Sequence, residues 1–282
     1  MKIKKQMQKL HGKLFIISTP IGNLTDITIR AIETLKTVNI IATENIRTTK
    51  KLLNKYDINK KLITFREDNK SKQIPHILDL LIDQDIALIS EAGSPTISDP
   101  GWELVENCRD KQCEIIPIPG PSAPITALMS SGISAQKYIF LGFLPEKSSH
   151  KIELLEKISK LNLPIIIFVP PHKLLKTFKI LKDVFGNRTV VVAREMTKIY
   201  EEIKKAPIAE LEKYFSAPRG EITLIIDVNK EQLQEEPMDT QKIKDLMKIL
   251  KTHNMKIQEI LPSLSKLTGF SANNLYKIWI DI

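Results

Sequence analysis

The feature that most constrains this chain is a series of short apolar runs, each bounded by turn residues and separated by segments of helical spacing. The runs are Leu14–Ser18, Val38–Ala42, Ile86–Ser90, Glu114–Ile118, Tyr138–Phe143, Pro164–Val169, Thr189–Ala193 and Glu221–Val228. They are rich in isoleucine and valine and alternate little with polar residues. A strand wet on one face would alternate, so these runs suit strands covered on both faces. Between them, Asp26–Thr37, Gln73–Asp83, Gly101–Lys111 and Lys173–Phe185 repeat apolar residues with the period of an amphipathic helix. Alternation of strand and helix predicts an α/β architecture with largely parallel pairing.

Two breaks divide the chain. Pro117-Ile118-Pro119-Gly120-Pro121 can neither continue a strand nor sit inside a helix. Ser122 then reads as the N-cap of a helix through Ala127 and Met129. A boundary here gives an N-terminal α/β domain over 12–121 and a second α/β domain over 122–229, and 282 residues are enough for both. The polar, acidic stretch Asn229–Thr240 reads as a linker. Residues 241–282 show two or three helical patterns and no strand, a small C-terminal helical extension. Its interspersed lysines suit contact with RNA; equally, it can be a packing appendage that buries Leu267, Leu275 and Ile278.

Composition narrows the class. A net charge of +9 points to a polyanionic partner, although a lysine-rich genome would give the same sum. No run approaches the ~20 apolar residues of a membrane span. Leu14–Ile17 is too short for the core of a secretory leader. Cys108 and Cys113 supply neither a disulfide framework nor a four-ligand zinc set, and both read as small buried apolar residues. His76, His150 and His253 lack metal-ligand spacing, and His172 reads as a turn residue, so no metal site is expected. A reducing, cytoplasmic compartment is the expectation.

Chemistry concentrates in five loops at strand ends. Ser18–Asp26 follows the first run with Pro20, Gly22 and an acidic cap, although alone it could be an ordinary strand-to-helix turn. Ser90–Gly101 crowds two prolines, two glycines, Glu91 and Asp99 behind a buried strand, where backbone can approach a ligand closely; Asp99 could instead cap the next helix. Pro117–Ala123, Leu141–Pro145 and Ala193–Lys198 follow, with Gly220-Glu221 opening the last strand. An open α/β sheet gathers such loops around one cleft.

In this order the five loops resemble the ribosomal RNA small subunit methyltransferase I family of the tetrapyrrole-methylase superfamily. The resemblance is carried by Thr19-Pro20-Ile21-Gly22-Asn23-Leu24, by Glu91 through Gly101, and by Pro117 through Ala123. Gly142-Phe143-Leu144-Pro145, Pro171-His172-Lys173 and Ala193 through Glu202 continue it, so that it spans about Leu14 to Val228. It implies a tetrapyrrole-methylase-like fold of two α/β domains with S-adenosylmethionine between them. It also implies methyl transfer to the ribose 2′-oxygen of a cytidine in the decoding region of 16S ribosomal RNA within the small subunit, and a possible homodimer. Carried over by position, Pro20, Glu91, Ala92, Gly93, Ser94, Ser98, Asp99, Ser122, Ala123, Gly142 and Phe143 would bind the cofactor, with Gly220 closing the adenine side.

Methyl transfer from a sulfonium needs alignment of oxygen, carbon and sulfur, and a base for the ribose hydroxyl proton. Glu44, at the end of the second run, is the candidate base, and Arg47 is placed to hold phosphate. Arg30, Arg47, Arg66, Asn69, Arg194 and Lys198 are the candidate RNA contacts. Each has a plainer alternative: Glu44 as a solvated carboxylate, Arg30 and Arg47 as surface residues, and Trp102 and Trp279 as packing residues. Family members read Ala-Glu-Asp-Thr-Arg at this point, whereas this chain has Asn45 in place of the aspartate. They carry His-Asn-Glu where this chain has Asp68-Asn69-Lys70, leaving Asp68 to serve if that histidine were the base. The competing functions are a methyltransferase for a tetrapyrrole or other small molecule, and a non-catalytic RNA-binding assembly factor.

Overall fold

The structure, a computed structural model, describes residues 10–228, 240–253, 255–268 and 270–282. Residues 229–239 of the expected linker Asn229–Thr240, the N-terminal residues 1–9 and the side chain of Leu267 lie outside the described residues, and Thr240 opens a helix. The chain divides at Val228 into two compact units.

The first unit opens with β1 (Lys13–Ile17), α1 (Ile29–Thr37), β2 (Ile40–Thr43), α2 (Ile46–Lys55) and β3 (Lys61–Thr64). It continues through α3 (Lys70–Leu80), β4 (Ile86–Ile89), α4 (Trp102–Asp110) and β5 (Glu114–Ile118). These strands form one parallel sheet in the order β3-β2-β4-β1-β5. Every residue of β2 and β4 is buried, as central strands covered on both faces require. Ala31 and Leu35 of α1 pack with Leu52 and Leu53 of α2 on one face. Ile77 and Leu78 of α3 pack with Leu104 and Cys108 of α4 on the other. Full burial of a side chain such as Leu35 contributes about 1.5–3 kcal/mol.

The same unit continues with α5 (Ala123–Ser131), β6 (Ile139–Phe143), α6 (Ser148–Ser159), β7 (Ile165–Val169) and α7 (Leu174–Phe185). β8 (Thr189–Arg194), β9 (Glu202–Pro207), α8 (Ile208–Tyr214) and β10 (Ile222–Ile226) complete it. The second sheet has the order β6-β7-β10-β8-β9. Here the expectation of parallel pairing needs correction: only β6 and β7 are parallel, while β7–β10, β10–β8 and β8–β9 are antiparallel. The short turn from β8 to β9 leaves no room for the crossover that a parallel pair demands. Ile21, from the loop after β1, packs with Ile166, Val191 and Ile225 of this sheet and so ties the two sheets together.

Two strands escape the sequence pattern. Both β3 and β9 are edge strands, partly exposed and lysine-bearing, which is how edges are kept from pairing with other chains. Without a buried run they carry no apolar signal. The caps also differ from expectation. Thr28, not Asp26, caps α1 by accepting from Ala31 N at 3.1 Å. Ser122 stands at the N-cap position of α5, but its hydroxyl makes no cap bond. Gly101 rather than Asp99 precedes α4.

The second unit holds α9 (Thr240–Thr252), α10 (Ile257–Thr268) and α11 (Ala272–Ile280). Ile243, Met247, Ile260, Leu264 and Leu275 form its own core, with Ile278 packed against it. Among the described residues, no helix is long and apolar enough to cross a membrane.

Candidate active site

The loops after β1, β2 and β4 leave the same edge of the first sheet. Thr19 and Gly93 exchange backbone bonds of 2.8 and 3.0 Å, and the Ser18 and Ser94 hydroxyls lie 2.9 Å apart. The loop from Glu91 to Gly101 is held in a conformation that few sequences tolerate: Thr96 and Ser98 have φ of +71° and +65°. Left-handed backbone at residues with a Cβ is costly and concentrates at functional sites. Gly142 shows how tightly the halves meet. Its φ is +62°, and a Cβ there would stand 2.4 Å from the Ser98 hydroxyl oxygen.

Between these loops lies a cavity of about 510 Å³. Glu44, Glu91, Ala92, Gly93, Ser94, Ser98, Asp99, Ser122, Ala123 and Phe143, all named from the sequence, line it. Ile21 and Ile97 line it too, as do Phe168, Val169, Pro170, Ile222 and Thr223, which the sequence argument did not name as site residues. These last five sit together because β10 runs antiparallel to β7, pairing Ile222 with Val169. The rule that ligands meet carboxyl ends of strands misses the amino end of an antiparallel neighbour. Pro170-Pro171 after a buried run was the signal available for the β7 end.

Pro20 lines a second, smaller cavity of about 190 Å³, which shares Ile21, Glu91, Ala92 and Glu221 with the first. Gly142 and Gly220 line neither; Gly142 backs Ser98, and Gly220, at φ +83°, lies beneath the Glu195 side chain.

Four carboxylate residues line the larger cavity: Glu44, Glu91, Asp99 and Glu221, of which Glu221 also pairs with Lys198. Burial, with the charges of Asp99 and Glu91 added, pushes Glu44 from 4.5 up to about 7. Burial likewise raises Asp99 from 3.8 to about 6, and Glu91 adds to this. Glu91 is held from α2: the Asn45 amide and the Thr48 hydroxyl donate to one of its oxygens at 3.1 and 2.8 Å. A carboxylate with a pKa near 7 can take a proton at neutral pH.

The candidate RNA contacts scatter. Arg47 is exposed in the first turn of α2 and does not line the cavity; Arg30 is exposed on α1. Arg66 forms a two-pronged pair with Asp68 at 3.0 and 3.1 Å, so Asp68 is engaged away from the cavity. Asn69 stabilises its own turn, accepting from Arg66 N at 2.8 Å and donating to Thr64 O at 3.3 Å. Arg194 pairs with Glu202 at 2.9 Å. Lys198 lines the smaller cavity and donates to Glu195 and Glu221, each at 2.9 Å. Cys108 and Cys113 are buried free thiols, and burial raises Cys108 to about 12, which makes it inert.

Residues 13–212 match the family described as tetrapyrrole (corrin/porphyrin) methylases. A ribosomal RNA small subunit methyltransferase I from Thermotoga maritima is 44% identical over 218 residues, 76% of this chain and 98% of the relative. The protein of that name from Escherichia coli O157:H7 is 35% identical, covering 100% of this chain and 99% of the relative. Among solved structures, the cobalamin biosynthetic enzyme cobalt precorrin-4 methyltransferase has a TM-score of 0.59 at 16% identity. It covers 76% of this chain and 94% of its own, and the likeness is one of fold. This chain belongs to the tetrapyrrole methylase family, among the ribosomal RNA small subunit methyltransferase I proteins.

Proposed function

We propose that this protein is an S-adenosylmethionine-dependent ribosomal RNA methyltransferase that modifies the ribose 2′-oxygen of a cytidine in the decoding region of 16S ribosomal RNA. The substrate class follows the names of its relatives. The observation that carries the reaction is Glu44, a carboxylate with a pKa of about 7 facing the cavity. The lining also fits the donor: Glu44, Glu91 and Asp99 suit its cationic groups, and Ile21, Ile97 and Phe143 suit a flat ring.

When bound, S-adenosylmethionine supplies an activated methyl group and leaves as a neutral thioether. Glu44 accepts the ribose hydroxyl proton as the oxygen–carbon bond forms and the carbon–sulfur bond breaks. The bridged loops at Thr19 and Gly93 keep the reacting groups aligned, which is the larger share of what a protein must provide here. The buried, free thiols fit a reducing, cytoplasmic setting.

The test is transfer of labelled methyl from S-adenosylmethionine to small subunits that lack the 2′-O-methylcytidine. Wild-type protein is expected to label one ribose, and Glu44→Gln to bind cofactor but lose at least ~100-fold in rate. Cofactor binding with no labelling of the subunit would overturn the substrate. Full activity in Glu44→Gln would overturn the base.

A further inference from the structure

Of the six RNA-contact candidates named from sequence, three cations are already neutralised by carboxylates: Arg66, Arg194 and Lys198. The cations of α2 are not. Arg47, Lys50, Lys51 and Lys55 are all exposed. Among the described residues, none of the four is in an ion pair, and the helix carries no carboxylate.

Their placement follows from the helical turn. At ~100° per residue the four side chains fall within an arc of roughly 140°. Thr49, Leu52 and Leu53 occupy the opposite side and are buried in the core. Thr48, at the border of the arc, lines the smaller cavity and donates to Glu91. Arg47, Lys51 and Lys55 therefore form a stripe with steps of roughly 6 Å that starts in the first turn of α2, three residues after Glu44, and runs along the helix.

We propose that α2 is the track for the RNA strand: Lys50, Lys51 and Lys55, continuing from Arg47, bind successive phosphates beside the nucleotide held in the cavity. The partner's chemistry is set by charge: a row of unpaired cations with no carboxylate among them takes a polyanion, and a flexible single strand can follow one helix face. The assignment rests on the proposed ribosomal RNA substrate, but electrostatic binding can be read without turnover.

The experiment compares wild type with Lys50→Gln/Lys51→Gln/Lys55→Gln, a change that keeps helix propensity. The control is Lys36→Gln/Lys61→Gln/Lys182→Gln, three exposed lysines at the opposite edge of the sheets from the cavity. Binding of a fluorescent oligouridylate is measured by anisotropy across a salt series, and the KM for small subunits by methyl transfer. The α2 variant is expected to lose roughly 10–100-fold in affinity at moderate salt and to flatten the slope of log K against log salt by about 2. Cofactor affinity stays at the wild-type value.

Equal losses in both triple variants would show that RNA senses only net charge, and would overturn the track. So would an unchanged slope in the α2 variant, or no oligouridylate binding by wild type. Loss confined to the α2 variant, from a protein that fails to methylate subunits, would uphold the track and sink the proposed substrate.

Discussion

The Asn45 side-chain amide donates to the Glu91 carboxylate at 3.1 Å while its oxygen accepts from the backbone N–H groups of Arg47 and Thr48 at 3.0 and 3.3 Å. One residue thus caps α2 and fixes a wall of the cavity. An aspartate can perform the first task but not the second, having no hydrogen to give. Asn45→Asp is expected to keep the helix while adding a carboxylate to Glu44, Glu91 and Asp99. The half-maximum of the pH–rate profile should then move upward by about one unit. An unmoved profile would show that Asn45 acts only as a cap.

The raised carboxylates make stability depend on pH in a stated direction. Glu44 keeps its proton up to about 7 in the folded protein against 4.5 ordinarily, and Asp99 up to about 6 against 3.8. The folded state therefore binds more protons than the unfolded chain across this window, and stability falls as pH rises through it. Above the folded-state values the effect is complete and the curve levels. Thermal melts of the cofactor-free protein from about pH 5 to 8, above the range where the lowered carboxylates such as Glu202 titrate, should show this decline, with Glu44→Gln flattening its upper part. A wild-type melting temperature that climbs with pH from about 5 to 7 would contradict the assignment.

On the proposed function, the same two groups should govern cofactor binding. A cationic ligand prefers ionised partners, so S-adenosylmethionine should bind more tightly at about pH 8 than at about pH 5 and release protons on binding. Calorimetry in buffers of different ionisation enthalpy measures this directly. Proton uptake would be the wrong sign.

Substitution of Phe143 should separate binding from folding. Its side chain is 59% exposed, with its ring 5.4 Å from Phe168 at the cavity wall. Phe143→Ala should weaken cofactor binding by about tenfold, the loss of one ring contact of ~1.4 kcal/mol. Its unfolding free energy should stay within ~0.5 kcal/mol of wild type. Equal losses of both would make Phe143 a packing residue.

Gly220 underlies a rim of charged groups. A Cβ there would lie 2.4 Å from the Glu195 carboxyl carbon, and φ is +83°. Glu195 accepts from Lys198 at 2.9 Å and from the Glu221 backbone at 2.8 Å. Gly220→Ala should cost about 2 kcal/mol or more in chemical denaturation, by backbone strain and by displacing Glu195. A loss below ~0.5 kcal/mol would mean that the turn relaxes freely.

The sequence by itself determined what depends on local pattern. The buried strands β2 and β4 show in their isoleucine-rich runs, because a strand covered on both faces has no room for polar alternation. The glycines and prolines of the loops after β1 and β4 mark where the chain must turn. Glu44 could be named because it directly follows the β2 run at a strand end. Only the tertiary structure decided what depends on partners distant in the chain. Whether β10 pairs parallel or antiparallel is settled by its neighbours, and that choice brought Ile222 and Thr223 to the cavity. Arg194 and Lys50 are both cations in the sequence, yet one is neutralised by Glu202 across a hairpin and the other has no ion pair among the described residues. Burial follows the composition of a segment, whereas charge pairing follows geometry, and geometry exists only once the chain has folded.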